Sequence, residues 1–255
     1  MTRVALVVLA LVAAGCAGDA GPAGPALRQT AANLERIESA ALSLSVRMEP
    51  KEGEEFGYEI DGPIRLGSDG ELPVADVDYT QRANDEEETV RLVLAEDGTG
   101  FVERAGERTV LGESQLADLR ESGALLGEDG LTTLGFEKWI DDPKLSGGPD
   151  GTEKVTADLD VAAAMAGLSA LAGLLQQDVV LTAEQRRQVA DAVEDSSFEL
   201  LTGKDDRLLR RLALAFTLAA DVPEDLRDAL GDAVGASFSF ELELDDVNEP
   251  VAVGG

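Results

Sequence analysis

The chain has one thiol, Cys16, and no imidazole, which narrows the chemistry open to it. Without histidine it lacks the commonest general base, the usual partner of a serine nucleophile and the usual zinc ligand. Carboxylates are abundant, 51 Asp and Glu against 21 Lys and Arg. Two of them could act as acid and base on a glycosidic bond, but abundance singles out no pair. Dense acidic groups at Asp85 to Glu88, Asp205-Asp206 and Asp245-Asp246 offer the clustered oxygens that calcium requires. None has the alternating acidic loop closed by a distal glutamate, and no glycine loop of a nucleotide-binding type is present. These residues predict no catalytic site, no metal and no cofactor, so the chain reads as a non-enzyme whose acidic turns face solvent.

What Cys16 can do follows from the residues before it. Arg3 supplies a basic start, Val4 to Ala14 form an apolar run, and Gly15 is small. The run is shorter than the roughly 20 residues a bilayer span requires, and its layout is that of a removed targeting segment over residues 1–15. Val12-Ala13-Ala14-Gly15-Cys16 resembles a lipobox, in which cleavage leaves an acylated cysteine at the new N-terminus; Ala13 stands where leucine is commonest. Cys16 is therefore the expected lipid-attachment residue, and two or three acyl chains on it suffice for stable membrane residence. With that thiol consumed no disulfide can form, and the core alone must stabilise the fold. Residues 16–26 are small, rich in Gly and Pro and nearly uncharged, which predicts a flexible tether. The formal net charge of −30 repels phosphate, so nucleic acid is excluded as a partner.

The remaining pattern must position an apolar surface. Leu27, Ala31, Leu34, Ile37 and Ala41 recur at helical spacing, after which the period becomes two. Leu42, Leu44, Val46 and Met48 alternate with Ser43, Ser45, Arg47 and Glu49. The same alternation runs through Phe56, Tyr58 and Ile60 to Ile64, with Gly62-Pro63 predicting a bulge or bend. It recurs at Ala75 to Tyr79, Val90 to Leu94, Leu212 to Leu218 and Phe238 to Leu244, with Asp76, Asp78, Arg91, Arg211, Glu241 and Glu243 opposite. Strands dry on one side and wet on the other belong to an antiparallel sheet. Helices are predicted near 114–122, 131–141, 160–176, 182–194 and 222–231, two of them with start signals at Thr182 to Gln185 and at Asp221-Val222-Pro223. The run Val161 to Leu175 is apolar around its whole circumference and so belongs inside, with Gly167, Ser169 and Gly173 able to leave space beside it. The predicted fold class is α+β: one domain over 27–253, a large curved antiparallel sheet, or half-barrel, with helices covering its concave apolar face.

Several segments, in this order, resemble the actinobacterial lipoproteins of the LppX and LprG type, relatives in fold of the carrier LolA. They are Leu34-Glu-Arg-Ile37 running into the Leu42 strand, Val77-Asp-Tyr79, and VRLVLAEDGTGFVERAGERTVL from Val90. Trp139-Ile-Asp-Asp-Pro143, Gly151-Thr-Glu-Lys-Val155, Thr202-Gly-Lys-Asp-Asp206 and Leu242-Glu-Leu244 continue the resemblance. It implies an apolar cavity between sheet and helices that holds acyl chains of a lipid or glycolipid. It also implies a place at the outer face of the cytoplasmic membrane or in the cell envelope, and a membrane transporter as partner of a monomeric carrier. On this reading Leu44, Val46, Tyr58, Ile60, Val90 and Leu92 line the cavity from the sheet, with Leu214, Phe216, Phe240 and Leu242. Met165, Leu168 and Leu171 face them from the apolar helix. The competing expectation is a non-enzymatic envelope scaffold with the same residues packed into a filled core.

Overall fold

Alternating apolar and polar residues put one side of each strand out of water, and here they build a single wholly antiparallel sheet of eleven strands. The computed structural model describes residues 22–51, 55–67, 71–83, 86–122, 131, 135–171, 182–219 and 234–250. The first six strands are β1 (Ser39–Pro50), β2 (Phe56–Arg65), β3 (Val74–Ala83), β4 (Glu86–Leu94), β5 (Gly100–Arg104) and β6 (Glu107–Val110). The other five are β7 (Ile140–Gly147), β8 (Thr152–Leu159), β9 (Val193–Gly203), β10 (Leu209–Leu218) and β11 (Ala236–Asp245). Their spatial order is β6-β5-β4-β3-β2-β1-β11-β10-β9-β8-β7, so two meanders meet where the first and last strands pair, and the sheet is not closed. Four helices are described: α1 (Ala23–Ala32), α2 (Glu113–Ser122), α3 (Val161–Leu171) and α4 (Ala183–Ala192).

Register carries the dry side chains across the sheet in rows. One row runs Val90, Tyr79, Ile60, Leu44, Leu242, Leu212 and Leu200 from β4 to β9. The next runs Tyr58, Val46, Phe240, Leu214 and Phe198. Buried residues of this face form one cluster with Leu27 of α1, Leu116 of α2, Leu168 of α3 and Val189 of α4. The opposite, wet face is tied by ion pairs: Arg91 grips both oxygens of Asp76 at 2.7 Å, and Arg211 sits among Glu199, Glu241 and Glu243.

Several predicted elements are corrected. The tether reading of 16–26 ends too late, because α1 begins at Ala23 with Ala23 and Ala26 buried. Small uncharged side chains there let a helix lie close to β7 and the 3-10 turn Phe136–Lys138. Residues 16–21, and with them Cys16, lie outside the described residues, as does the signal segment 1–15. The helical run expected from Leu27 to Ala41 stops at Ala32, where Asn33 donates its side-chain amide to the Asp206 carbonyl at 3.0 Å, and β1 has begun by Ser39. Of the helix predicted at 131–141, residues 132–134 lie outside the described residues, and from 135 onward there is instead the turn Phe136–Lys138 followed by β7, with Phe136 and Trp139 buried as plugs. At Gly62-Pro63 no residue is inserted, since Asp61 opposite Asp78 and Ile64 opposite Ala75 keep one register. Gly62 instead adopts φ +144°, and a Cβ there would lie 2.2 Å from the Asp76 carbonyl oxygen, so the site is a close approach of two backbones. The capping box at Thr182 is present: Gln185 N–H donates to the Thr182 hydroxyl at 3.2 Å, and Thr182 N–H donates to Gln185 Oε1 at 2.9 Å. Residues 172–176 and the helix predicted at 222–231, with its signal at Asp221, lie outside the described residues.

Candidate functional site

The dry face is unevenly filled, and that unevenness defines the candidate site. On the side of β8 to β11, Val155, Leu200, Leu212, Leu242 and Leu244 are each 0% exposed. Small and aromatic groups close this half. Thr30 of α1 meets Thr202 of β9 hydroxyl to hydroxyl at 2.8 Å, both buried. The space beside Gly167 is occupied by the indole of Trp139, which an added Cβ would meet at 2.5 Å. The expectation that Gly167 leaves a vacancy is thus corrected: its missing side chain is what lets the chain's one tryptophan pack. Ser169's side chain and Gly173 lie outside the described residues.

On β2 to β4 the two rows described above end half-buried, whereas Ile64, Ala75, Val77 and Leu94 of the same strands are buried at 0–3% exposed. Tyr58, Ile60, Tyr79, Val90 and Leu92 all stand there, together with Phe56 at the end of β2. Their rings form a chain, Phe56 edge-on to Tyr58 at 6.4 Å and Tyr58 stacked on Tyr79 at 6.2 Å. Burial, reinforced by the neighbouring Tyr79, pushes the Tyr58 hydroxyl up to about 12, and burial raises Tyr79 as well. Both phenols therefore remain neutral donors at any physiological pH.

Of the residues predicted to line a cavity, the structure seals Leu44, Val46, Leu214, Phe216, Phe240 and Leu242 within the core. Leu168 of α3 is buried in the same cluster and Met165 is half-buried against it, while the Leu171 side chain lies outside the described residues. The half-buried group is Tyr58, Ile60, Val90 and Leu92, and sequence reasoning missed Phe56 and Tyr79 as its companions. Tyr79 stands directly opposite Ile60, and its place in the Ala75 to Tyr79 alternation is the sequence signal that puts it on the same face. Also missed were Val93 and Phe101 on the wet face near the β6 edge, where the Arg108 guanidinium lies 3.7 Å over the Phe101 ring.

Three of the acidic residues singled out from sequence, Glu87, Glu88 and Asp206, are held by cations or amides, and Asp85 lies outside the described residues. Glu87 accepts from Arg82 and Glu88 pairs with Arg104. Burial raises Asp206, but the Leu208 amide and Arg210 outweigh it and hold this carboxyl below its ordinary value. No group of three or more metal-ligating side chains occurs among the described residues. No helix among them is long and apolar enough to cross a membrane. Compared with known proteins, the chain matches no protein-family model and no curated protein.

Proposed function

We propose that this chain is a lipoprotein, anchored through acylated Cys16 in the cell envelope, that holds the acyl chains of a lipid or glycolipid against the half-buried wing of its sheet, as in the LppX and LprG type. The observation that supports this reading is a patch of one apolar face, Tyr58, Ile60, Tyr79, Val90 and Leu92, that stays half-buried beside a sealed core which includes Leu200, Leu212 and Leu242 and, on the same strands as the patch, Ile64, Ala75, Val77 and Leu94. A half-barrel whose helices roof the concave face would turn that wing into a cavity wall. Aliphatic walls bind acyl chains without directional contacts, gaining about 0.8 kcal/mol per buried methylene. The reading assigns no catalytic residue.

Native mass spectrometry of the chain made in an actinobacterial host, with lipid extraction of the same sample, tests it. Bound lipid at fixed stoichiometry, lost in Leu92→Trp, is the expected result. A clean apo mass with a compact fold would instead favour the envelope scaffold, a reading that the sealing of Leu44, Val46 and Leu242 supports on the other half of the face. Independently, Cys16→Ser is expected to move the protein from the membrane fraction to the aqueous one, and persistence in the membrane would remove the anchor from the proposal.

A further inference from the structure

If Cys16 carries the anchor, the stretch of chain between it and the first helix decides which side of the domain meets the bilayer. α1 begins at Ala23 behind Pro22, so six residue steps separate Cys16 from the folded domain. Even fully extended, six steps reach only about 20 Å. The last turns of α1 are fixed at one end of the β7 to β9 ladder: Thr30 bonds Thr202 at 2.8 Å, and Asn33 donates to the Asp206 carbonyl at 3.0 Å. Thr202 lies opposite Glu153, and Glu153 opposite Gly147, the last residue of β7. α1 also packs on β7 and on the turn Phe136–Lys138, which precedes the first residue of β7. Contact with that turn therefore falls to the first turns of α1, and the chain toward Cys16 leaves the domain beside the turn and the β7 margin.

β7 is one margin of the sheet and β6 the other, ten strand spacings apart, or about 48 Å measured along the sheet. The half-buried patch on β2 to β4 lies six to eight spacings from β7. Charge divides the two margins in the same sense. On β2 to β6 every arginine is paired: Arg65 with Glu96, Arg82 with Glu59 and Glu87, Arg91 with Asp76, Arg104 with Glu88 and Arg108 with Glu103. Arg28 of α1, Lys138 of the turn and Lys144 of β7 are exposed, and among the described residues no carboxylate stands within salt-bridge distance of them. Glu137, Asp141 and Asp142 beside them keep this margin from being a basic patch. The short tether therefore selects the side, and the free cations soften its repulsion from anionic head groups in a chain of net charge −30.

We infer that the margin formed by α1, the turn Phe136–Lys138 and β7 rests against the lipid surface that holds Cys16, and that the opposite margin, with the half-buried patch, is held away from it. The inference rests on the acylated-Cys16 part of the reading above and adds the side of the domain that meets the membrane.

The test uses the full chain, extracted from an actinobacterial host with its acylated N-terminus and reconstituted on vesicles of equal parts phosphatidylcholine and phosphatidylglycerol, some head groups carrying a nitroxide. With Cys16 acylated, an added cysteine is the one free thiol, so Lys138→Cys and Thr109→Cys, both at exposed positions, each take a single fluorophore. Quenching at position 138 is expected to be about threefold stronger than at position 109, given the reach of the tether and the width of the sheet. Inserting about 20 Gly and Ser residues between Cys16 and Pro22 is expected to bring the two to the same level, because a flexible linker of that length frees the domain to turn. Equal quenching at the two positions with the native tether, or stronger quenching at 109, would overturn the orientation while leaving the anchor intact. A contrast that survives the longer tether would overturn the tether as its cause. Release of the protein from the vesicles, read by flotation, would remove the anchor and this inference together.

Discussion

The core of β8 to β11, with Leu200, Leu212 and Leu242 at 0% exposed, and the patch of Tyr58, Ile60, Tyr79, Val90 and Leu92 on β2 to β4 share one face and one set of rows, yet the first is sealed and the second is half-buried, although Ile64, Ala75, Val77 and Leu94 beside that patch are buried. Side-chain type explains part of the difference. The sealed core presents Leu, Val and Phe at nearly every dry position, whereas two rows through the half-buried patch run out into polar groups, through Val90 to Arg104 and through Tyr58 and Gln81 to Glu88. The larger part comes from what arrives from elsewhere in the chain. Thr30 on Thr202, Asn33 on the Asp206 carbonyl, and the Trp139 amide and carbonyl, bonded to the Phe136 carbonyl and Asp160 amide respectively, anchor helices and turns to the β7 to β10 side. Strand patterning decides which face is dry; the anchoring of the helices decides which part of it is filled.

That contrast has a large energetic signature. Leu242→Ala is expected to cost about 3–5 kcal/mol, because a fully enclosed leucine leaves a cavity that its neighbours cannot collapse into. Ile60→Ala, in the same row two strands away, is expected to cost only about 1–2 kcal/mol, since much of its surface keeps contact with solvent or with whatever occupies the wing. Urea unfolding of both variants, followed by the fluorescence of Trp139, measures the difference. Equal losses would mean that the wing is ordinary core and that the two halves differ only in appearance. Adding a bound amphiphile sharpens the comparison, because the cost of Ile60→Ala should then grow while that of Leu242→Ala stays fixed.

How much of this could be read from the residues alone depends on where local pattern and long-range packing agree. β1, β2, β3, β4, β10 and β11 were legible because Leu42 to Met48, Phe56 to Ile60 and their counterparts keep strict alternation. Strands β5 to β9 were not: β6 is four residues, all exposed, and β7 carries the register break at Asp141 to Lys144 around Pro143, which erases the period. Only the start of α1, Ala23 to Ala26, reads as linker from composition, since Ala and Gly look like linker until a partner surface lets them approach closely, whereas Leu27 and Ala31 already show the helical spacing. Phe136 and Trp139 mimic a helical stripe but serve as plugs, a role that only the fold assigns. For the candidate site, the list of dry residues was legible and their division into sealed and half-buried was not, because alternation carries no information on what lies above a strand.

The smallest effect comes from the least invasive probe. Tyr58 and Tyr79 are the only tyrosines in the chain, so phenolate absorbance reports on the wing and on nothing else. In an unfolded chain both would ionise near the ordinary value of 10.0; in the folded chain burial moves Tyr58 to about 12 and raises Tyr79. Below the unfolded value the protonation states match and the phenols' contribution to stability is complete. As pH rises from 10 toward 12 the unfolded state loses its protons first, so this contribution drains away with rising pH. A native titration with both phenols at the ordinary value would show rings open to water and would dissolve the distinction between a half-sheltered wing and bare surface. Delayed ionisation, delayed further when dodecyl maltoside is present, would show that an amphiphile shelters these rings and not the sealed half, which has no tyrosine to report.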